Sequence, residues 1–172
     1  MRHVRRGGEY LRIADPDWGD PLSPEYARRR GGRWNPPGSF GVVYLNASID
    51  VARAQVRHKL EPRGIRPEDL VPDGGPILVR TDVPDDRYVD AISDAGLVAL
   101  GLPLTYPRDD RGRPVQHAEW QPIGRRARDA GERGIACRSA AETAPLAGEE
   151  LAFFVRQTLQ RRRTERFADW YW

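Results

Sequence analysis

Arg30-Gly-Gly-Arg-Trp-Asn-Pro-Pro-Gly-Ser-Phe-Gly-Val-Val-Tyr44 is the stretch on which the reading of this chain turns. Glycines at 31 and 32 let the backbone approach a ligand closely or adopt positive φ. Asn35-Pro36-Pro37-Gly38 fixes a turn, proline setting φ and glycine relieving it. Gly41-Val42-Val43-Tyr44-Leu45 then reads as a strand. A turn and a strand therefore place Arg33 and Tyr44 rigidly. Two readings stand side by side: Trp34 as a core anchor with Arg33 at the surface, or both as parts of a site.

Downstream, Ser48 is a good helix N-cap, with Asp50 in the first turn. The spacing of Ile49, Ala52, Val56 and Leu60 predicts a helix over 49–60 with one apolar face. Gln55 lies at the edge of that face. Pro62 and Gly64 stop the helix. His58 has no Cys or His partner at ligand spacing, so the sequence indicates no metal site. Upstream, Tyr10-Leu-Arg-Ile13 reads as a short strand in which Arg12 either faces solvent or is held by an anion. Residues 14–30 form a turn-rich loop ending in a short helical turn.

Pro76-Ile-Leu-Val-Arg-Thr-Asp-Val83 is the clearest strand, and Ala91–Leu102 has helical potential. His117–Ala130 reads as a helix in which Pro122 argues for a break or late start. Gly134-Ile-Ala-Cys-Arg-Ser139 and Glu150-Leu-Ala-Phe-Phe-Val155 read as short strands, the second reached through a Gly/Pro turn. The chain ends in a basic run, Arg161-Arg-Arg163, followed by Trp170-Tyr-Trp172, aromatics expected to dock on the domain, whereas an exposed cluster would suggest a partner surface.

The 172 residues suit one domain able to bury a sizeable core. No run of about 18 apolar residues occurs, so no membrane helix is expected. The basic N-terminus lacks the apolar segment of a secretory signal. Cys137 is the only cysteine, which excludes an intrachain disulfide and fits a cytoplasmic protein. Lys59 is the only lysine, and the net charge is +3. That charge is too small to argue for nucleic acid, and the basic runs Arg28–Arg30 and Arg161–Arg163 lack interleaved aromatics. Direct nucleic-acid binding is therefore not expected. No phosphate loop, Rossmann fingerprint, zinc site or Ser-His-Asp motif is present. The arginines, the strand tyrosine, a helical amide and Ser139 together suit a dinucleotide bound outside a Rossmann fold.

Gly31-Gly-Arg-Trp-Asn35, the Val-Val-Tyr strand and the helix after it resemble the RES domain, a family of bacterial toxins of type II toxin–antitoxin pairs. Arg33, Tyr44 and position 55 stand eleven residues apart, as in that family, and Gly134–Ser139 is similar to its serine-bearing strand. The resemblance runs from Tyr10 to about Val155, leaving 156–172 as a basic and aromatic tail. It implies an α/β (α+β) fold: a single ADP-ribosyltransferase-like domain with a split mixed β-sheet, surrounding helices and an NAD cleft. It implies cleavage of NAD at the nicotinamide–ribose bond, by phosphorolysis or hydrolysis or with transfer of ADP-ribose. NAD is then the substrate, inorganic phosphate a candidate co-substrate, and no metal is called for.

Residue by residue, the resemblance implies that Arg12 and Arg33 bind NAD phosphates and that Tyr44 lines the nicotinamide pocket. Ser139 would hydrogen-bond the ribose, while Trp34 and Asn35 shape the loop. It also implies an antitoxin partner of helix-turn-helix type. The aromatic tail or the arginine-rich loop is expected to form antitoxin contacts or a homodimer. Position 55 departs from the family: a glutamate is expected there and Gln55 stands in its place. Glutamine keeps the shape but supplies no negative charge for an oxocarbenium-like transition state. Three explanations stay open: a natural subgroup with altered chemistry, a weakly active or inactive NAD- or antitoxin-binding module, or a deliberately inactivated variant. Glu9, Glu61 and Glu119 are other acids in the chain, but nothing in the sequence places them.

Overall fold

The computed structural model describes residues 1–71, 74–114, 116–141, 148–154 and 158–172. In chain order the elements are β1 (His3–Ala14), α1 (Glu25–Arg30), β2 (Val42–Asn46), α2 (Ile49–Leu60) and β3 (Ile77–Ala91). They continue with α3 (Asp94–Leu100), α4 (His117–Asp129), β4 (Gly134–Arg138), β5 (Glu149–Phe154), β6 (Arg161–Glu165) and α5 (Phe167–Trp170). Val155 and the expected turn before β5 lie outside the described residues.

The six strands form one mixed sheet. β2, β5 and β4 are antiparallel neighbours, and β4 runs parallel to the end of β3. β1 lies antiparallel along β3 from His3↔Val89 to Ala14↔Ile77 and meets β2 at Leu11↔Asn46. These pairings close a ring. With β1 on one edge of β3, β6 and β4 share the other, at residues 78–81 and 89–91. The sheet splits between them. The result is the mixed, single-domain α/β (α+β) architecture expected.

Several element limits differ from the sequence reading. β1 is 12 residues long, not four. The Gly7-Gly8 pair that obscures it marks a register shift against β3, between Arg6 and Gly8. β3 likewise continues through Pro84 to Ala91. α4 starts at His117 and carries Pro122 inside it. Pro122 is the sixth helical residue, two positions beyond the first turn, so its missing N–H costs the helix one hydrogen bond near its start. The basic run Arg161–Glu165 is a strand, with exposed side chains along the sheet edge, as charged edge strands commonly are.

Burial on both faces of the central strands explains their apolar runs. On one face Phe154 and Ile135 pack with Trp34, Tyr106, Trp120 and Ile123 beneath α3 and α4. On the other, Leu151 and Phe153 join Tyr10, Val43, Val79 and Tyr88. A third cluster holds α2 through Ala52 and Val56 against Leu11, Leu78, Phe167, Trp170 and Tyr171. Each such large side chain contributes roughly 1.5–3 kcal/mol on full burial. Trp170 and Tyr171 are thus used inside the chain's own core. Trp170 and Tyr171 dock on the domain as expected, which corrects the alternative that the aromatic tail is a contact surface; Trp172 alone of the three faces outward. Among the described residues no helix is long and apolar enough to cross a membrane.

Candidate active site

The loop after α1 is built to hold Arg33 in place. Gly31 has φ 73°, and a Cβ there would lie 2.8 Å from Pro37 Cδ. The Tyr44 hydroxyl donates to Asn35 Oδ1 at 2.8 Å and accepts from the Trp34 N–H at 2.9 Å. Asn35 Nδ2 donates to the Ala27 carbonyl at 2.7 Å, and Gln121 of α4 donates to the Gly32 carbonyl at 3.0 Å. Trp34 is fully buried, with its indole N–H on Cys137 Sγ at 3.4 Å. Trp34 and Asn35 therefore stand behind the wall and fix it.

In front of that wall lies a cavity of about 340 Å³. Arg12, Arg33, Tyr44, Gln55, Ala140 and Glu150 line it, with Trp18, Tyr26, His58, Lys59 and His117 among the residues around them. The Arg33 side chain is only 10% exposed. It donates to the Tyr106 hydroxyl at 3.2 Å, the Arg138 carbonyl at 3.1 Å and Glu150 Oε2 at 3.4 Å. Burial would lower its pKa, but the groups around it outweigh burial and hold it well above the ordinary value. Of those groups, Tyr106 and Cys137 are uncharged at neutral pH, because burial raises both. Glu150 is the anion that compensates Arg33.

Arg12, on β1, is 5% exposed. Among the described residues its Nη2 reaches only the Ser23 carbonyl, at 3.4 Å. Its Nε has no hydrogen-bond partner among the described residues. The guanidinium lies 5.6 Å from the Trp18 ring centre. Burial lowers its pKa to about 10 despite the opposing pull of Asp20. An arginine so desolvated and so sparsely paired is short of an anion. Lys59 at the rim is also held below its usual value, by burial first and then by Arg12 and Arg63. Partial burial first, and then Arg33, lower the pKa of His117.

Gln55 stands on the second turn of α2, whose start Ser48 caps by accepting from the Val51 N–H at 3.3 Å. Its Nε2 donates to Ser139 Oγ at 3.3 Å and to Glu150 Oε1 at 2.5 Å. Ser139, just past β4, also accepts from the Ala141 N–H at 3.3 Å. The structure thus brings Arg12, Arg33, Tyr44 and Gln55 to one cavity and sets Ser139 beside it. Tyr44's hydroxyl is engaged by the loop, and burial holds its pKa above the ordinary value. Among the described residues no group of three or more His, Cys, Asp or Glu could hold a metal ion.

Sequence reasoning missed Glu150. The acids it weighed lie elsewhere: Glu9 pairs with Arg80 at 2.6 Å, and Glu61 and Glu119 are exposed. Glu150 is buried and opposes Cys137 on β4 and Asn46 on β2. The available signal is a carboxylate sharing one strand face with Ala152 and Phe154.

Residues 6–169 match the family described as RES domain. The chain belongs to the RES domain family. Over 104 residues it is 34% identical to the NAD(+) phosphorylase MbcT of Mycobacterium bovis and, to the same extent, of Mycobacterium tuberculosis. That stretch covers 59% of this chain and 55% of the relative, so the chain spans about half the length of these curated relatives. The crystal structure of the M. tuberculosis MbcT–MbcA toxin–antitoxin complex is similar in fold, with a TM-score of 0.77 and 24% identity. It covers 95% of this chain and 86% of the matched chain. This RES domain thus keeps the family's fold while carrying Gln55 where an acid is expected, with Glu150 hydrogen-bonded to it in the cavity wall.

Proposed function

We propose that this RES domain cleaves NAD at the nicotinamide–ribose bond, with inorganic phosphate as the acceptor. The observation that carries the reading is the cavity itself. Two nearly buried guanidiniums stand in the wall of one pocket with an amide, a carboxylate and a nearby serine. Arginine grips a pyrophosphate through forked hydrogen bonds, and Arg12, drawn by Asp20 only through space, has no ion-pair partner among the described residues, a partner that a dinucleotide would supply. Arg33, already paired to Glu150, keeps its fork pinned beside the reacting sugar. Ser139 and Gln55 offer hydrogen bonds to ribose hydroxyls. The likeness to proteins named NAD(+) phosphorylase supports phosphate over water as acceptor. An antitoxin partner of helix-turn-helix type, covering the cavity mouth, belongs to the same proposal.

The test is release of nicotinamide from NAD by purified protein, followed by chromatography with and without inorganic phosphate. Release that depends on phosphate is expected; release independent of it makes the reaction a hydrolysis. Absence of nicotinamide under both conditions contradicts the proposal. The replacement at position 55 favours a second reading, an NAD-binding module without turnover, which calorimetric binding without release would support.

A further inference from the structure

We propose that Glu150 is the catalytic carboxylate of this domain, the negative charge having moved from α2 to the facing strand β5. The proposal rests on the NAD-cleaving reading above and assigns the residue that reading leaves without an acid. Glu150 is buried, lines the cavity and is fixed at both oxygens. Oε1 accepts from Gln55 Nε2 at 2.5 Å and from the Ala140 N–H at 3.1 Å. Among the described residues Oε2 takes only the longer contact from Arg33, at 3.4 Å. A carboxylate offers about four acceptor sites, so a substrate hydroxyl can still be received.

In the step assigned to it, the bond from the ribose anomeric carbon to the pyridinium nitrogen breaks. Its electron pair goes to that nitrogen, and neutral nicotinamide leaves. A phosphate oxygen donates the pair that forms the new bond at the same carbon. Positive charge builds on the sugar between these events. A fixed, buried carboxylate stabilises that charge far more than solvent does. Glu150 neither gains nor loses a proton overall. Gln55, held on α2 by the Ser48 cap, acts as a positioning residue that orients the carboxylate.

A merely structural role, neutralising Arg33, predicts something different: weaker folding and binding with an unchanged rate per bound substrate. The experiment compares wild type, Glu150→Gln and the double variant Gln55→Glu/Glu150→Gln, which returns the charge to the helix. Turnover of NAD with phosphate, the NAD dissociation constant and the thermal midpoint are read for each. Glu150→Gln is expected to lower kcat by roughly 10²–10³ while still binding NAD. The double variant is expected to recover at least about tenfold over it. If Glu150→Gln fails to fold, the double variant, which keeps the net charge of the site, carries the test. A folded Glu150→Gln with wild-type kcat overturns the proposal and leaves NAD cleavage standing. So does a folded double variant no faster than the single one. A wild type that binds NAD without turnover, while the double variant turns over, also overturns it. No NAD loss in any of the three removes the underlying reading instead.

Discussion

Arg33, Glu150 and Cys137 show how charge is handled beside the cavity. The Arg33–Glu150 pair sits with side chains 10% and 9% exposed. Such a pair contributes little net stability, yet loss of one partner costs about 3–5 kcal/mol by leaving the other charge buried and alone. Cys137 Sγ accepts from Arg33 and from Trp34 at 3.5 and 3.4 Å, and burial raises its thiol to about 11 from an ordinary 9.0. The folded chain thus keeps this proton where the unfolded chain releases it. The contribution is fully present below about pH 9 and is lost as pH rises towards 11. Linkage sets the slope at about 1 kcal/mol per pH unit in that window. Urea unfolding at pH 8, 9 and 10 should show wild type losing stability more steeply than Cys137→Ala. Parallel slopes would show that the thiol is not coupled to folding.

At the scale of elements, the loop between α1 and β2 carries the largest structural burden. A Cβ on Gly32 would lie 2.5 Å from the Tyr44 hydroxyl oxygen, which ties the turn together. Gly32→Ala should therefore displace Arg33, cost roughly 1–3 kcal/mol and abolish NAD turnover. Gly19→Ala, with nothing within 4 Å of the added carbon, is the control expected to match wild type. Denaturant midpoints and nicotinamide release check both. This loop was legible in the sequence because its turn chemistry is local: paired glycines, Asn-Pro-Pro-Gly and a following strand. α2 was legible for the same reason, from a serine cap and apolar spacing. What was not legible depends on remote partners. Glu150 reads as an ordinary strand-end acid until Gln55, Arg33 and Ala140 close around it. β6 reads as a charge run until β3 supplies its ladder. The full length of β1 is hidden by glycines that make sense only against Asp85 on β3, which a Cβ on Gly7 would meet.

The whole molecule joins these parts through a closed circuit of strands. β1 ties β2 to β3, and so links the strand of Tyr44 to the strand that pairs with β4. The C-terminal aromatics brace α2 from outside that circuit through Phe167, Trp170 and Tyr171. Arg53 of α2 donates to the carbonyls of Trp170 and Trp172, at 3.1 and 2.7 Å. Gln55 is thus held against Glu150 by residues more than a hundred positions further along the chain. This arrangement gives a RES domain one cavity with arginines, an amide and a relocated acid, and the account requires that NAD be consumed there. Phosphorus NMR of NAD mixed with the purified protein in phosphate buffer tests that most directly. The account predicts loss of the NAD pyrophosphate signals and growth of a new phosphate-ester resonance from phosphate attached at the ribose anomeric carbon. NAD signals that persist unchanged, with phosphate remaining free, would contradict it.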